Sequence, residues 1–198
     1  MLSTLGRRLL ALSFSATLAA GLAGPAAAQS LTELDRRGDV LVGTMEGEAF
    51  RPSTAANGDI VRTVMNHGRN AISLRLRFRE VQRIGDFRSD GVHVVTDEGV
   101  RRDVYVSAGP GMWRGMAEMS RPNGQVVRCA ISHRIDYDLD LVTLSFPRTC
   151  VSSPRWVRLG VGTVWGQLAS NKMYADDAQL DGHIYPNNLR LSPRLRRG

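Results

Sequence analysis

The chain has 198 residues, of which 42% are hydrophobic and 23% charged, with 20 Gly, 8 Pro and 2 Cys. These proportions match those of average globular proteins and exclude collagen-like, disordered and disulfide-dense chains. The formal net charge is +7, and Lys172 is the single lysine among the 26 basic residues. Because a GC-rich genome favours arginine codons, this charge does not by itself indicate a nucleic-acid-binding surface, and we expect no nucleic-acid partner.

The N-terminal segment predicts a secretory signal over residues 1–28. Arg7 and Arg8 form a short basic region, and the uncharged run that begins at Leu9 leads to three alanines at 26–28. This order is typical of a signal that is cleaved after small residues. An uncleaved anchor is the alternative, since the run is nearly long enough to span a bilayer. The arginine pair leaves twin-arginine export open beside the general route. We expect cleavage, which gives a secreted protein without stable membrane insertion.

The remainder, residues 29–198, predicts a single domain built from short strands. Its start is the exception: Ser30 and Glu33 have the spacing of a capping box, which predicts a helical turn over 31–37. The clearest strand is 72–79, where apolar and polar residues alternate strictly, as in an antiparallel sheet with one buried and one solvated face. Further strands are predicted at 40–42, 60–65, 92–95, 104–108, 112–119, 126–131, 141–146 and 157–164.

Turn signals separate these runs. Asn123-Gly124 accepts the positive φ angles of a type I′ hairpin turn, and glycine-containing turns are also predicted at 97–99 and 108–111. About nine strands with turns at short intervals indicate an all-β fold. We predict an antiparallel, jelly-roll-like β-sandwich.

The two cysteines predict one disulfide. An oxidising compartment makes an even pair a disulfide in the simplest interpretation. A hairpin of 126–131 with 141–146 brings Cys129 opposite Cys150. The bridge then closes the open end of this hairpin, where Pro147 ends the ladder.

Several short motifs carry a family resemblance. They are Gly58-Asp59-Ile60, the strand 72–78, Thr96-Asp97, Phe146-Pro147-Arg148 and Trp156-Val157-Arg158. In this order they resemble secreted actinobacterial proteins of unknown function. More distantly, they resemble the jelly-roll sandwiches of the family-nine carbohydrate-binding and DOMON-like group, which also occur as appendages of exported enzymes. The resemblance spans roughly residues 39–165 and implies a sandwich that binds a ligand, often a sugar. None of that group's ligand-contacting aromatic residues matches a position here, so it implies no site residue.

Local enzyme signatures are absent from the sequence: it has no Gly-x-Ser-x-Gly elbow, no His-Glu-x-x-His helix and no Walker loop. The four histidines, His67, His93, His133 and His183, lie far apart. We expect each to be a surface or hydrogen-bonded residue. We therefore assign no catalytic residue, and a non-enzyme is the favoured interpretation.

Two groups of aspartates could hold calcium, and no other cofactor is expected. Asp136, Asp138 and Asp140 alternate as in a calcium loop, but Leu141 stands where an EF-hand needs Gly, and Asp is also an ordinary turn residue. The second group is Asp176-Asp177 with Asp181.

Six side chains are candidate ligand contacts. Arg75, Arg77 and Arg79 form an outward stripe that suits a phosphate-bearing wall polymer or an acidic polysaccharide; the alternative is a solvated face that discourages aggregation. Trp113, Trp156 and Trp165 either complete the core or stack on sugar rings. The C-terminal arginines predict a flexible, solubilising tail at Arg190, Arg194, Arg196 and Arg197.

Three functional hypotheses follow. The first is a secreted, non-catalytic sandwich that binds a glycan or another cell-envelope ligand. The second is an exported hydrolase whose acid and histidine residues meet only in the folded chain. The third is a structural domain that docks another protein through an exposed apolar face.

Overall fold

The computed structural model describes residues 29–179 and 189–198. The predicted signal segment, 1–28, lies outside the described residues. Strands are the dominant secondary structure of the described chain, which forms two antiparallel sheets packed face to face. This confirms the predicted all-β sandwich. Within these residues no helix is long and apolar enough to cross a membrane.

Thirteen strands run through the described residues. In chain order they are β1 (Gln29–Leu34), β2 (Leu41–Gly43), β3 (Arg51–Pro52), β4 (Ile60–His67), β5 (Ala71–Phe78), β6 (Phe87–Thr96), β7 (Arg101–Ala108), β8 (Met116–Ser120), β9 (Ser132–Asp136), β10 (Leu141–Pro147), β11 (Trp156–Gln167), β12 (Lys172–Asp177) and β13 (Leu195–Arg196). The smaller sheet has the order β1-β4-β5-β10-β9. The larger sheet has the order β3-β2-β12-β11-β6-β7-β8, and β13 pairs with the start of β11.

The core lies between the two sheets and is built from alternate residues of each strand. On β5, Ile72, Leu74, Leu76 and Phe78 are all buried, as the period-two pattern predicts. Facing them are buried valines on β6, β7 and β11 of the larger sheet, namely Val92, Val94, Val104, Val106, Val157 and Val161. Full burial of one such side chain contributes roughly 1.5–3 kcal/mol, so this shared interior holds the sheets together.

Two predicted elements are wrong. The helical turn expected at 31–37 is largely strand β1, which pairs with β4 from Gln29–His67 to Leu34–Arg62. The capping-box spacing is a local signal, and pairing with a neighbouring strand overrides it. The strand expected at 126–131 is also absent, because the chain leaves the larger sheet after Val126 bridges Ser120. The partner of β10 is β9 instead.

The predicted disulfide is confirmed. Cys129 and Cys150 are bonded, with their Cα atoms 5.8 Å apart. Cys129 precedes β9, and Cys150 lies in the 3₁₀ turn Arg148–Val151 that follows β10. The bridge therefore closes the open end of the β9–β10 hairpin, at the end where Pro147 terminates its strand.

The C-terminal residues, expected to be a basic tail, lie against the sandwich in the structure. Ser192 is buried, and its hydroxyl accepts a hydrogen bond from Leu159 N. The guanidinium of Arg194 lies over the Trp156 ring, 4.6 Å from its centroid. Leu195 is buried in the core and pairs with β11. Through these contacts, the end of the chain pairs with β11 and contributes a side chain to the core.

Candidate functional site

A concavity of about 580 Å³ lies on the outer face of the larger sheet. Its floor is formed where β6 and β11 pair, since Gly91 lies opposite Gly162. Neither glycine has a side chain to fill the space above the sheet. Leu189 forms part of the wall: a Cβ atom on Gly162 would come within 2.7 Å of the Leu189 Cδ2. The paired glycines thus let neighbouring side chains lie close to the sheet as walls of the hollow, because a Cβ atom at either position would crowd them.

Tyr105 supplies an aromatic surface in this hollow. It lies on β7 directly opposite Gly91, and two of its ring carbons are 3.3 and 3.4 Å from where a Gly91 Cβ would stand. A ring that covers a cross-strand glycine stabilises a sheet. Tyr105 is nevertheless 42% exposed, so part of the ring remains accessible to a ligand.

A histidine and an aspartate meet beside Tyr105. His93 on β6 is the register partner of Asp103 on β7, and the His93 Nδ1 atom lies 2.6 Å from the Asp103 Oδ1 atom. With Nδ1–H donating to the carboxylate, Nε2 is the ring atom left for other partners. Among the described residues, no hydrogen bond to Nε2 is formed. Both side chains line the concavity.

The charge of Asp103 also acts on the tyrosine. Burial raises the pKa of the Tyr105 hydroxyl, and the negative charge of Asp103 raises it further. Tyr105 therefore keeps its proton at neutral pH and can donate a hydrogen bond. Arg101 and Ser89 also line the hollow and add further donors. The arrangement suits a polar ligand with hydroxyl groups and one flat apolar face.

The three candidate tryptophans do not meet in this hollow. Trp165 is buried, stacks on Tyr174 at 4.0 Å between ring centroids, and donates from Nε1 to the Asn57 carbonyl. Trp113 is half-buried and packs edge-on against Tyr137. Trp156 is half-buried beneath the Arg194 guanidinium. The structure thus places the three rings at separate positions, each in contact with another side chain.

The three candidate arginines lie on the smaller sheet and differ in their contacts. Arg75 and Arg77 are exposed on β5. Arg79 follows the strand and donates from its Nη1 atom to the Asp59 Oδ2 atom at 2.9 Å. Arg79 is therefore a member of an ion pair, while Arg75 and Arg77 extend from the sheet.

The other histidines lie outside the concavity. His67 is wholly buried, its Nδ1 atom lies 2.9 Å from the Leu195 carbonyl, and its Nε2 atom accepts a hydrogen bond from the Arg148 Nε atom. Burial lowers the pKa of His67, in keeping with this structural role. His133 is half-buried on β9. His183 lies outside the described residues.

The first aspartate group, Asp136, Asp138 and Asp140, spans the turn between β9 and β10. The Asp136 carboxylate accepts from Arg134 and from Leu139 N, and Asp140 accepts from Val81 N. Asp140 has a positive φ of 49°, which Asp tolerates better than most residues. These contacts tie the turn between β9 and β10 to its surroundings.

In the second aspartate group, Asp176 and Asp177 have different hydrogen-bond partners. The Asp177 carboxylate accepts from Gln179 N and Arg190 N. Burial raises the pKa of Asp177 to about 6, against the lowering effect of these two hydrogen bonds. Asp176 points elsewhere, and Asp181 lies outside the described residues. The adjacent pair predicted from sequence therefore does not act as one ligand set.

Asp176 instead meets Asp35 and Asp39, with ligand atoms of all three within 4.8 Å of one another. Burial raises the pKa of Asp176 to about 9, and the charges of Asp39, Asp35 and Asp59 raise it further. Its Oδ2 atom accepts a hydrogen bond from Ile60 N at 2.7 Å. The repulsion among these carboxylates can be relieved in two ways. Calcium prefers carboxylate oxygens as ligands, and a proton on Asp176 removes one of the negative charges.

Sequence reasoning missed the hollow, although one signal for part of it was present. A hairpin turn at 97–99 has its centre at residue 98, and His93 and Asp103 are equally distant from it. Pairing about this turn predicts that the two meet. Nothing in the sequence indicated that Gly162 and Leu189 would join them. Comparison of the chain with protein-family models, curated proteins and solved structures found no match.

Proposed function

We propose that this chain is an exported, non-catalytic β-sandwich that binds a glycan of the cell envelope in the hollow on its larger sheet. The observation that carries the proposal is the convergence of Tyr105 with His93 and Asp103 in one concavity of about 580 Å³. Small-molecule sites are concave and combine apolar or aromatic walls with a few polar groups that fix orientation. This hollow has both parts.

The chemistry of the lining favours a sugar. A pyranose presents one flat C–H face and a rim of hydroxyls that both donate and accept hydrogen bonds. The Tyr105 ring offers a partner for the flat face, while Asp103 accepts and Arg101 donates at the rim. Export is supported by the signal-like N terminus and by the Cys129–Cys150 disulfide, since disulfides persist in oxidising compartments.

The test is a glycan array followed by calorimetry on the best ligand, using protein whose disulfide has formed. Tyr105→Ala removes the ring and is expected to weaken binding at least about tenfold, the effect of roughly 1.4 kcal/mol. Tyr105→Phe keeps the ring and should stay within about threefold of the parent protein. Leu168→Ala, at an exposed position away from the hollow, is the matched control. The absence of any glycan ligand, or unchanged affinity in Tyr105→Ala, contradicts the proposal.

A second candidate function, hydrolysis, is favoured by the His93–Asp103 pair. A carboxylate that orients a histidine through Nδ1 leaves Nε2 ready to act as a general base. Within the described residues, however, no serine, threonine or cysteine donates to Nε2. The pair would therefore have to activate water directly. Binding remains the primary proposal because it needs only the side chains that line the hollow and no reactant held at Nε2.

Hydrolysis has its own test. The protein is incubated with ester and glycoside substrates, and product release is compared between the parent and His93→Ala. Turnover that is lost in His93→Ala but kept in His133→Ala would support hydrolysis and displace the non-catalytic proposal. Binding without turnover on the same glycans would support the primary proposal.

A further inference from the structure

The outer side of the smaller sheet carries a cluster of arginines, which we call the basic face. It consists of Arg62 on β4 with Arg75 and Arg77 on β5, and all three are exposed. Arg62 and Arg77 are direct register partners. Across β5, Arg75 faces Thr143 and Arg77 faces Leu141. Neither of these two positions on β10 holds an acidic residue.

The acids nearest to the basic face have other contacts or lie at its edge. On β9, Asp136 is paired with Arg134 at 2.7 Å. At the other end, a cleft of about 620 Å³ is lined by Arg62 and Arg77 together with Arg37, Arg79, Asp35 and Glu80. Because Arg79 is paired with Asp59, three arginines remain against two acids, and the cleft is still positive. In the described part of the chain, Arg62, Arg75 and Arg77 form no ion pair.

This arrangement has a cost in the free protein. Like charges directly opposite each other on adjacent strands are destabilising, and Arg62 faces Arg77 in this way. A bound anion removes the repulsion and adds charge-assisted hydrogen bonds. Arginine is suited to this role because its planar guanidinium matches phosphate with two parallel hydrogen bonds.

We propose that the basic face binds a linear polyol-phosphate polymer of the cell envelope, at a site separate from the glycan hollow. Arg75 and Arg77 are two residues apart on one strand, so their Cα atoms are separated by about 7 Å. In a polymer whose phosphates are joined through a three-carbon polyol, ordinary bond lengths place neighbouring phosphates a similar distance apart, about 7 Å. Successive phosphates can then meet successive arginines, and the cleft holds the next phosphate beside Arg62.

The surface favours this polymer over single-stranded nucleic acid. Proteins that bind single strands without sequence preference stack bases on aromatic side chains. The outward positions beside the three arginines hold Thr32, Leu34, Val64, Leu141 and Thr143. None of these is aromatic, so a nucleobase has no ring to stack on. A chain whose repeating units carry only hydroxyls and phosphates needs no such ring.

The experiment measures binding of the disulfide-bonded protein to synthetic poly(glycerol phosphate) at low and high salt. Two triple variants remove the same charge from different surfaces. One is Arg62→Ala, Arg75→Ala and Arg77→Ala. The control is Arg114→Ala, Arg121→Ala and Arg128→Ala, at exposed positions elsewhere. We expect binding that weakens steeply with salt, a loss of at least about tenfold in the first variant and less than about twofold in the control.

Folding and the source of the phosphate are checked in the same series. The thermal midpoint of the first variant should equal or exceed that of the parent, because like-charge repulsion has been removed. No binding at low salt, or an equal loss in the control, overturns the proposal. Equal or tighter binding of an oligo-dT strand or of polygalacturonate also overturns it, since the site would then not be specific for a polyol-phosphate chain. Tyr105→Ala should bind poly(glycerol phosphate) normally, which separates this result from the glycan test.

Discussion

Among single residues, Asp176 is in the least ordinary environment. It is buried among Asp35, Asp39 and Asp59, and its pKa is raised to about 9, by burial first and by these charges next. The nearby arginine, Arg79, is engaged by Asp59. At neutral pH the folded protein therefore holds a proton on Asp176 that the unfolded chain releases.

Asp176→Asn should make the protein more stable at alkaline pH. Because the folded pKa lies above the unfolded value of 3.8, the unfolded state binds fewer protons between about pH 4 and pH 9. The free energy of unfolding of the parent then falls with rising pH, by at most about 1.4 kcal/mol per pH unit. The amide oxygen of Asn can still accept from Ile60 N, and the variant has no charge to bury.

Urea unfolding across this pH range, in the presence of EDTA, provides the measurement. We expect the two proteins to agree near about pH 4 and to diverge above it, with the variant more stable. Repeating the series with calcium shows whether the cluster also holds a cation: the parent should gain stability and the variant should not. A variant that is less stable at every pH in EDTA contradicts a protonated Asp176.

At the scale of elements, the disulfide links the two chain segments at the open end of the β9–β10 hairpin. The bridge joins residues 21 positions apart, just beyond the last pair of the ladder. In the chain-entropy model, closing a loop of this length stabilises the fold by about 3 kcal/mol. The effect acts mainly on the unfolded chain, which loses freedom.

Cys129→Ala with Cys150→Ala should therefore lower the free energy of unfolding by about 3 kcal/mol. Chemical denaturation of the double variant, beside the oxidised and the fully reduced parent, measures the difference. The reduced parent should resemble the double variant, because both lack the bridge. A reduced parent that remains as stable as the oxidised protein would show that the bridge does not constrain the unfolded chain.

Two glycines allow the cost of a strained backbone to be measured apart from the cost of a steric clash. Gly85 and Gly99 both have positive φ, 82° and 74°. A Cβ on Gly85 would stand 2.5 Å from the Gly166 carbonyl oxygen, whereas a Cβ on Gly99 meets nothing within 4 Å. Gly99→Ala should cost about 1–2 kcal/mol from the left-handed backbone alone. Gly85→Ala should cost clearly more in thermal or urea unfolding, and equal losses would contradict the close approach of Gly166.

Elements could be predicted from sequence where the signal is local and repeated. Alternation over 72–79 predicts β5 and its buried face, because successive side chains of a strand point to opposite faces of the sheet, one towards the core and one towards water. The capping-box spacing of Ser30 and Glu33 is equally local but misleads, since β1 is fixed by its partner β4. The meeting of Asp176 with Asp35 joins parts of the chain that no local pattern relates.

For the whole molecule, the C-terminal strand connects the two sheets. Leu195 pairs with Val157 on β11 of the larger sheet. Its carbonyl lies 2.9 Å from His67 Nδ1 on β4 of the smaller sheet, and Gly198 N donates to the His67 carbonyl. Arg148, which donates to His67 Nε2, also donates to the Arg69, Ser153 and Pro154 carbonyls. This network closes one end of the sandwich and includes the start of β11, whose later residues pair with β6 at the floor of the hollow.

Leu195→Ala should consequently destabilise the entire fold and not only its last residues. Leu195 is 1% exposed, and removing such a side chain from a core costs about 2–5 kcal/mol. Leu168→Ala, at a position that is 62% exposed, should change stability by less than about 0.5 kcal/mol. Urea denaturation followed by fluorescence and by far-ultraviolet circular dichroism reports on side-chain packing and strands separately. If β13 joins both sheets, the two signals should shift together to lower urea, since neither sheet keeps its packing without the other. A small loss, or a shift in only one signal, would mean that β13 is an appendage and that the sandwich closes without it.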